Sequence, residues 1–313
     1  MRVAYNFDDI SDLPQGSSVV TIGSFDGIHL GHQVVLDRLV RTGKTRNARS
    51  VVITFSNHPS EVLRPEQHIH QLCTTAHKIK LLEEMSIDLV FLLSFTKKLA
   101  EKTPKQFLSD LLKVIPFHTL ILGEDAHIGK NREGNKKKVT ELSAGMGFEV
   151  EYLSDCAIAG SRISSSRIRS SIQHGRFDEA ELLLGRPYSI YAPVLKGHGR
   201  GAPLGFPTAN ISVEGLCLPP HGVYTVSLWH QGQRFEGVAN LGYAPTLHQD
   251  RALLLEVHLF DKTIDLYGHY VDVHFHKFLR PEQRFDSVEA LKKQIAHDIQ
   301  QGKACFFPNI SIA

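Results

Sequence analysis

The feature that most constrains this chain is a change of rhythm near residue 185. Before it, short β-branched runs alternate with segments of helical periodicity. Residues 18–22, 51–55, 88–93, 119–122 and 148–153 read as strands, each long enough to be buried and too short for a helix. Residues 32–41 set Val35, Leu36, Leu39 and Val40 on one helical face, and residues 76–85 set Ile79, Leu82 and Met85 on another. Thr103-Pro104-Lys105-Gln106 starts a third helix, since it supplies a capping hydroxyl, a proline at the first helical position and a reciprocal glutamine. Repeated strand, helix, strand order predicts a Rossmann-like α/β fold, a parallel sheet covered on both faces, with ligands at the carboxyl ends of its strands.

Beyond Arg186-Pro187 glycine and proline become dense and the period shifts to two. Residues 223–229, a turn at Gln231-Gly232-Gln233, then 234–240, 252–260 and 270–278 predict a small antiparallel β-barrel. One C-terminal helix follows, with Asp286 and Glu289 as a capping box and Val288, Leu291, Ile295 and Ile299 as its apolar stripe. Leu182-Leu183-Leu184 ends a helix that Gly185 stops, so the domains are expected at 1–185 and 186–313. A length of 313 residues fits two domains at about 150 residues each.

Composition excludes more than it specifies. Lys plus Arg number 35 against 33 Asp plus Glu, a net charge of +2, which offers no general attraction for nucleic acid or an anionic membrane, and neither is expected as a partner. The apolar runs are short and the opening residues lack a signal-peptide core, so a cytoplasmic protein is expected. Cys73, Cys156, Cys217 and Cys305 are too far apart for a CxxC pair and too few for a disulfide framework, and read as reduced, mostly buried thiols. His274 and His276 share a strand face, yet no third ligand stands at a spacing that supports zinc. The basic run from Lys130 through Arg132 to Lys136, Lys137 and Lys138 reads as a solvated loop and helix start, without the interleaved aromatics of an RNA surface.

Two segments of the first half carry chemistry. Gly23-Ser24-Phe25-Asp26-Gly27-Ile28-His29-Leu30-Gly31-His32 joins the first of these strands to the first helix. Glycines let backbone wrap an anion, the helix offers free N–H groups, and two histidines donate to phosphoryl oxygens. No P-loop lysine is present, and the histidine pair alone fits equally a glycine-rich turn with surface histidines. Ile163-Ser164-Ser165-Ser166-Arg167-Ile168-Arg169 places three hydroxyls and two arginines at another helix start, suited to holding phosphate and a departing pyrophosphate. Alone it also fits a capped helix.

The second half repeats the theme. Glycines 197, 199, 201 and 205 permit a phosphate-wrapping loop, and Thr208 and Asn210, two apart on an extended segment, provide two oxygen ligands for Mg²⁺. A loop with Asn210 bonded locally fits as well. In Leu255-Glu256-Val257-His258-Leu259, alternation projects Glu256 and His258 from one face, either a base on rigid backbone or a solvated strand face.

The longer strings resemble one family, the bifunctional riboflavin kinase/FMN adenylyltransferases, or bacterial FAD synthetases, within the nucleotidyltransferase superfamily. GSFDGIHLGH is similar to its GxFDGxHxGH signature, Phe55 with Asn57-His58-Pro59 to its FxxHP segment, and ISSSRIR to its ISSTRIR. In the second half, GxPLGFPTAN, Pro219 to Tyr224, Gly237 to Thr246, Glu256 to Leu259, Asp265 to Gly268 and Leu279-Arg280 resemble riboflavin kinase segments in order. The resemblance implies two reactions: phosphorylation of riboflavin to FMN by ATP, and adenylylation of FMN to FAD with release of pyrophosphate. It implies ATP-phosphate contacts from Gly23, Phe25, Asp26, Gly27, Gly31, His29 and His32, a pyrophosphate side made by Ser164, Ser165, Ser166 and Arg167, and flavin contacts at Asn57 and Asp125. In the kinase half it implies Glu256 as base, Thr208 and Asn210 as Mg²⁺ ligands, and a phosphate cradle at Gly197, Gly199 and Gly201.

Departures single out particular positions. Ala126 and Ile128 stand where the family carries aromatics, which leaves less ring area near the flavin. Lys196, His198, Ala202 and Ala244 differ at the kinase loops. Three alternatives follow: a riboflavin kinase with a weak or inactive adenylyltransferase half, a noncatalytic flavin or nucleotide carrier, and a nucleotidyltransferase for another acceptor.

Overall fold

The computed structural model describes residues 1–6, 8–10, 18–197, 202–243, 253–262 and 264–307. Two compact units emerge, Met1–Gln71 with Lys78–Ser165, and Leu72–His77 with Ser166–Ala313.

In the first unit six strands form one sheet: β1 (Arg2–Ala4), β2 (Ser18–Ile22), β3 (Arg49–Phe55), β4 (Leu89–Leu93), β5 (Thr119–Gly123) and β6 (Glu149–Leu153). Their order is β1-β4-β3-β2-β5-β6 and every pairing is parallel. From β2 the chain steps outward to β3 and β4, then crosses back to β5 on the other side. The turn after β2 therefore sits where the strand order reverses, the position at which open parallel sheets form a ligand crevice. The edge strand β1, three residues long, carries too little pattern to be read from sequence.

Burial on both faces follows the alternation within each strand. Val20, Val51, Ile53 and Leu120 join one apolar cluster, while Val19, Val52, Val90 and Ile121 join the other. Each such fully buried side chain contributes roughly 1.5–3 kcal/mol. The helices are α1 (Leu30–Thr45), α2 (Pro59–Leu63), α3 (Thr75–Glu84), α4 (Lys97–Ala100), α5 (Pro104–Val114) and α6 (Lys136–Met146). The expected start of α5 is present: Thr103 Oγ1 accepts from Gln106 N at 3.3 Å and Gln106 Oε1 accepts from Thr103 N at 2.9 Å. It presents Phe107, Leu108 and Leu111 to the core. In α3 the inward face is rotated from the expected Ile79, Leu82, Met85 stripe: Lys78, Leu81 and Leu82 are buried, and Ile79 and Met85 only half-buried. A short antiparallel pair, β7 (Ala157–Ile158) with β8 (Ser161–Arg162), precedes α7 (Ser165–Gln173), which begins at the last residue of this unit.

In the second unit β9 (Ser189–Leu195), β10 (Ala209–Ser212), β11 (Gly222–His230), β12 (Gln233–Tyr243), β13 (Leu253–Leu259) and β14 (Tyr270–Arg280) close into an antiparallel barrel. The β11–β12 hairpin turns through Gln231 and Gly232, both with positive φ (48° and 76°), which matches the right-handed twist of the strands. Before β9 lies α8 (Phe177–Leu184), stopped by Gly185 at φ 73°. Its Phe177 stacks on Phe275 at 5.8 Å and meets Tyr224 edge-on at 5.7 Å, so α8 packs into the barrel's aromatic core. All four cysteines are unbridged, Cys73 and Cys217 buried, Cys156 half-buried and Cys305 exposed.

The last helix, α9 (Val288–Phe306), corrects one expectation. Its cap is Ser287, whose Oγ accepts from Ala290 N at 3.1 Å, so the helix starts one residue later than an Asp286–Glu289 box requires. Val288 is half exposed, and the deepest residues are Asp298 and Gly302. A Cβ at Gly302 would stand 2.7 Å from Val238 Cγ1 and 2.8 Å from Phe260 Cζ, so the helix meets the barrel wall where it has no side chain. Asp298 is buried and forked by Arg280 at 2.9 and 2.7 Å, with Gln294 adding a bond at 2.8 Å. The imidazoles of His274 and His276 go to different partners. His274 Nε2 lies 3.5 Å from Asp272, while His276 Nε2 lies 2.9 Å from Ser227 Oγ. Burial, then the charges of Arg234 and His274, push His276 down to about 4.

Removing Arg280 strands the Asp298 carboxylate in the interior. Arg280→Met is expected to lower unfolding stability by about 3 kcal/mol, read as the denaturation midpoint of the barrel unit through Trp229, the chain's one tryptophan. His276 yields a pH test. Its folded value lies below the ordinary 6.5, so between about 6.5 and about 4 the unfolded chain binds the proton more readily. Stability is thus expected to fall as pH drops through that window, and His276→Gln to flatten the Tm–pH slope there.

Candidate functional site

The turn leaving β2 continues the sheet by one bond, Gly23 N to Ile53 O at 3.0 Å, then coils through left-handed Phe25, Gly27 and Ile28 at φ 47°, 77° and 38°. Left-handed backbone costs roughly 1–3 kcal/mol per non-glycine residue and persists only where packing over-determines it. Here Phe25 and Ile28 are 3% and 1% exposed, with Asp26 buried between them. The Ser24 carbonyl accepts from Thr54 Oγ1 at 3.1 Å and Lys78 Nζ at 2.8 Å.

His29 caps α1, its Nδ1 accepting from His32 N at 3.3 Å. That leaves the neutral ring's proton on Nε2, as a donor on the far side of the imidazole. The rings of His29 and His32 stack at 3.6 Å and 16°, and His32 meets Phe25 edge-on at 5.2 Å. A Cβ at Gly31 would crowd the His29 ring at 3.2 Å, which explains the glycine. The first turn of α1 adds backbone N–H groups and the positive end of a 16-residue helix. Ser165 Oγ donates to the Asp26 carbonyl at 3.2 Å, so the start of α7 is tied to the same turn. Gly23 to His32, Ser164 and Ser165 thus lie within one unit, and Ser166 and Arg167 follow along the helix in the other. Arg167 is paired with Glu179 through two 3.1 Å bonds. Hydrogen bonds from Arg176, Ser171 and Arg167 hold that carboxyl at about 2.

Asn57 braces two loops: its Nδ2 donates to Phe95 O at 3.1 Å and its Oδ1 accepts from Phe95 N at 2.8 Å. Asp125 is exposed and ion-paired with Arg162. Ile128 is 5% exposed and belongs to the hydrophobic core, against which Ala126 packs. Bonds of 3.0 and 2.9 Å join Ile128 to Gly134, closing a loop that begins at the second of the two departures.

In the barrel, register decides what meets. Glu256 on β13 lies directly opposite Asn210 on β10 and opposite Asn240 on β12. Residues paired across antiparallel strands project to the same side, so the carboxylate is flanked by two amides on the outer wall. A Cβ at Gly197 would overlap the Asn210 amide, so the buried Asn210 side chain occupies space only glycine leaves. His258, two residues along, lies 2.9 Å from Pro207 O and edge-on to Phe206, which holds the 202–208 segment over β13. Gly197, Thr208, Asn210, Lys262, Asp265 and Tyr267 are among the residues lining a cavity of about 250 Å³. The hydroxyl of Thr208 and amide oxygen of Asn210 are hard oxygen donors of the kind that suits a small divalent cation sharing its shell with nucleotide and water. Glu282 lies over β12, 3.5 Å from Asn240 Nδ2. Gly199, Gly201, His198 and Ala244 lie outside the described residues.

Three residues escaped the sequence reading: Asn240, Thr54 and Lys78. Asn240 lies at the end of the expected strand 234–240 and inside the segment that resembles riboflavin kinase, with no role of its own. Nothing in the local pattern distinguishes Thr54 or Lys78.

Comparison with known proteins agrees with this division. The family model described as FAD synthetase matches residues 12–167 and that described as riboflavin kinase matches residues 184–306. The bifunctional riboflavin kinase/FMN adenylyltransferase of Escherichia coli strain K12 is 36% identical over 300 residues, covering 95% of this chain and 96% of that one. The protein of the same name from Haemophilus influenzae is 37% identical over 308 residues, covering 98% and 99%. A crystal structure described as a macrolide-efflux protein from Streptococcus pneumoniae superposes with a TM-score of 0.80 at 28% identity, covering 95% of this chain and 97% of that one. Among the described residues here, no helix is long and apolar enough to cross a membrane.

Proposed function

We propose a residue-level reading from one premise: the chain belongs to the bifunctional riboflavin kinase/FMN adenylyltransferase family. It is a transferase of flavin cofactor biosynthesis that phosphorylates riboflavin to FMN and adenylylates FMN to FAD, with ATP as donor in both steps. Matches in both halves disfavour a kinase with a silent partner domain and a noncatalytic carrier. We assign the adenylyltransferase to 1–185 and the kinase to 186–313, supported by the riboflavin kinase match beginning at 184. We place the enzyme in the cytoplasm, where ATP is plentiful.

In the kinase half, Glu256 accepts the proton of the riboflavin 5′-hydroxyl as its oxygen attacks the γ-phosphorus and ADP departs. Thr208 and Asn210 hold Mg²⁺, which when bound neutralises phosphate charge. Gly197, with Gly199 and Gly201, wraps the phosphates. Asn210 and Asn240 flank the carboxylate across the ladder. The observation that carries this reading is the cross-strand pairing of Glu256 with Asn210, which sets base and metal ligand side by side on rigid backbone.

In the adenylyltransferase half, an FMN phosphate oxygen attacks the α-phosphorus of ATP and pyrophosphate leaves, so no protein nucleophile is required. Catalysis is positioning and charge stabilisation. His29 and His32, the N–H groups at the start of α1, and Gly23, Phe25, Asp26, Gly27 and Gly31 of the turn receive the triphosphate. Ser164, Ser165, Ser166 and Arg167 receive the pyrophosphate. Asn57 and Asp125 border the flavin.

The two sites are expected to separate by mutation. Glu256→Gln should lower riboflavin phosphorylation about 10²–10⁴-fold and leave FMN-to-FAD conversion near normal, and His32→Ala should do the reverse. Chromatographic separation of riboflavin, FMN and FAD after incubation with ATP and Mg²⁺ reads both. Parallel loss of the two activities in folded protein contradicts independent sites.

A further inference from the structure

Lys78 is 5% exposed, and no step above uses it. Its ammonium donates to the carbonyls of Ser24 at 2.8 Å and Phe55 at 3.1 Å, with Thr54 Oγ1 at 3.5 Å. Burying an ammonium sacrifices strong hydration, and an apolar side chain of similar volume supports packing without that loss. What the lysine adds is direction. All three acceptors lie at the carboxyl ends of β2 and β3, at the root of the turn that carries His29 and His32.

The Ser24 carbonyl takes two donors, the Thr54 hydroxyl and the Lys78 ammonium, both from beneath the turn. A trans peptide is planar, with its C=O and N–H pointing in opposite directions. Drawing the Ser24 oxygen inward therefore turns the Phe25 N–H outward. Among the described residues no acceptor engages that N–H. We propose that Lys78 is a positioning residue for adenylyl transfer: by gripping the Ser24 carbonyl it fixes the Ser24–Phe25 peptide and the start of the turn that receives the triphosphate of ATP. This inference rests on the adenylyltransferase reading of the turn. Lys78 touches neither ATP nor FMN. It acts through the peptide it holds.

Two variants test it. Lys78→Met keeps the length and apolar volume of the side chain and removes its charge and donors. Thr54→Val removes the other donor to the same oxygen. Each is assayed for pyrophosphate release from FMN and ATP, and for FMN formation from riboflavin and ATP in the same preparation. For Lys78→Met, kcat/KM for ATP in adenylylation is expected to fall about tenfold or more, and KM for ATP to rise about threefold or more. KM for FMN should stay unchanged and riboflavin phosphorylation should stay within about twofold. Thr54→Val should shift the same parameters in the same direction by less, and the double variant should be no worse than Lys78→Met by more than about twofold, since both act on one carbonyl.

Adenylylation within about twofold of the parent in folded Lys78→Met overturns the proposal. So does a fall in kcat with both KM values unchanged, the signature of a smaller folded fraction. If Lys78→Met does not fold, Thr54→Val decides by the same criteria. Absence of pyrophosphate release in the unaltered protein defeats the adenylyltransferase reading itself, whereas an active parent with indifferent variants defeats only the role given to Lys78.

Discussion

Burial of Phe25 and Ile28 beneath the turn that leaves β2 is the contact on which the first site depends. Both residues hold left-handed backbone at a cost of roughly 1–3 kcal/mol each, and both bury an apolar side chain that offsets it by roughly 1.5–3 kcal/mol. The turn is therefore rigid before any ligand arrives. Because α1 begins immediately after it, with His29 as cap, the helix's free N–H groups and the stacked imidazoles inherit that rigidity. Donors fixed in advance need no reorganisation as charge develops, which is the usual source of catalysis when no covalent intermediate forms.

The barrel achieves preorganisation by a different route. Its site is a matter of register: Asn210, Glu256 and Asn240 stand abreast because three neighbouring strands pair at those residues. A slip of one residue sends a whole strand's side chains to the opposite face. The interior alternates strictly against this, with Leu255 and Val257 buried on either side of Glu256, so the hydrophobic core enforces the position of the carboxylate. The Arg280–Asp298 pair and the close approach at Gly302 clamp α9 to the wall that includes β12 and β14. Packing outside the site thus keeps the ladder in register within it.

Much of this was legible in advance, for particular reasons. The buried strands β2 to β5 are short apolar runs bounded by polar residues, and the limits of β2 to β6 fall within a few residues of the expected ones. The capping box of α5 is local chemistry and appears as written. Where expectation and structure differ, the cause is local in one helix and tertiary in another. A histidine rather than a hydroxyl caps α1, so the helix begins two residues before its apolar pattern. Ser287, not Asp286, caps α9, and Gly302 and Asp298 dock the helix against the barrel. A lysine faces inward in α3 because strand-end carbonyls, not side chains, wait there.

By itself the sequence determined the two architectures and the two glycine-rich junctions, since periodicity, caps and glycine-rich junctions are short-range properties that travel with a few consecutive residues. Only the tertiary structure decided which distant groups share a role. Lys78 and Ser24 are 54 positions apart, and Asn240 is joined to Glu256 only through the pairing of β12 with β13. Such partnerships arise when strand ends and helix faces are brought together by burial of apolar surface, and a lysine or an asparagine looks the same in the chain whether it ends in solvent or against a carbonyl.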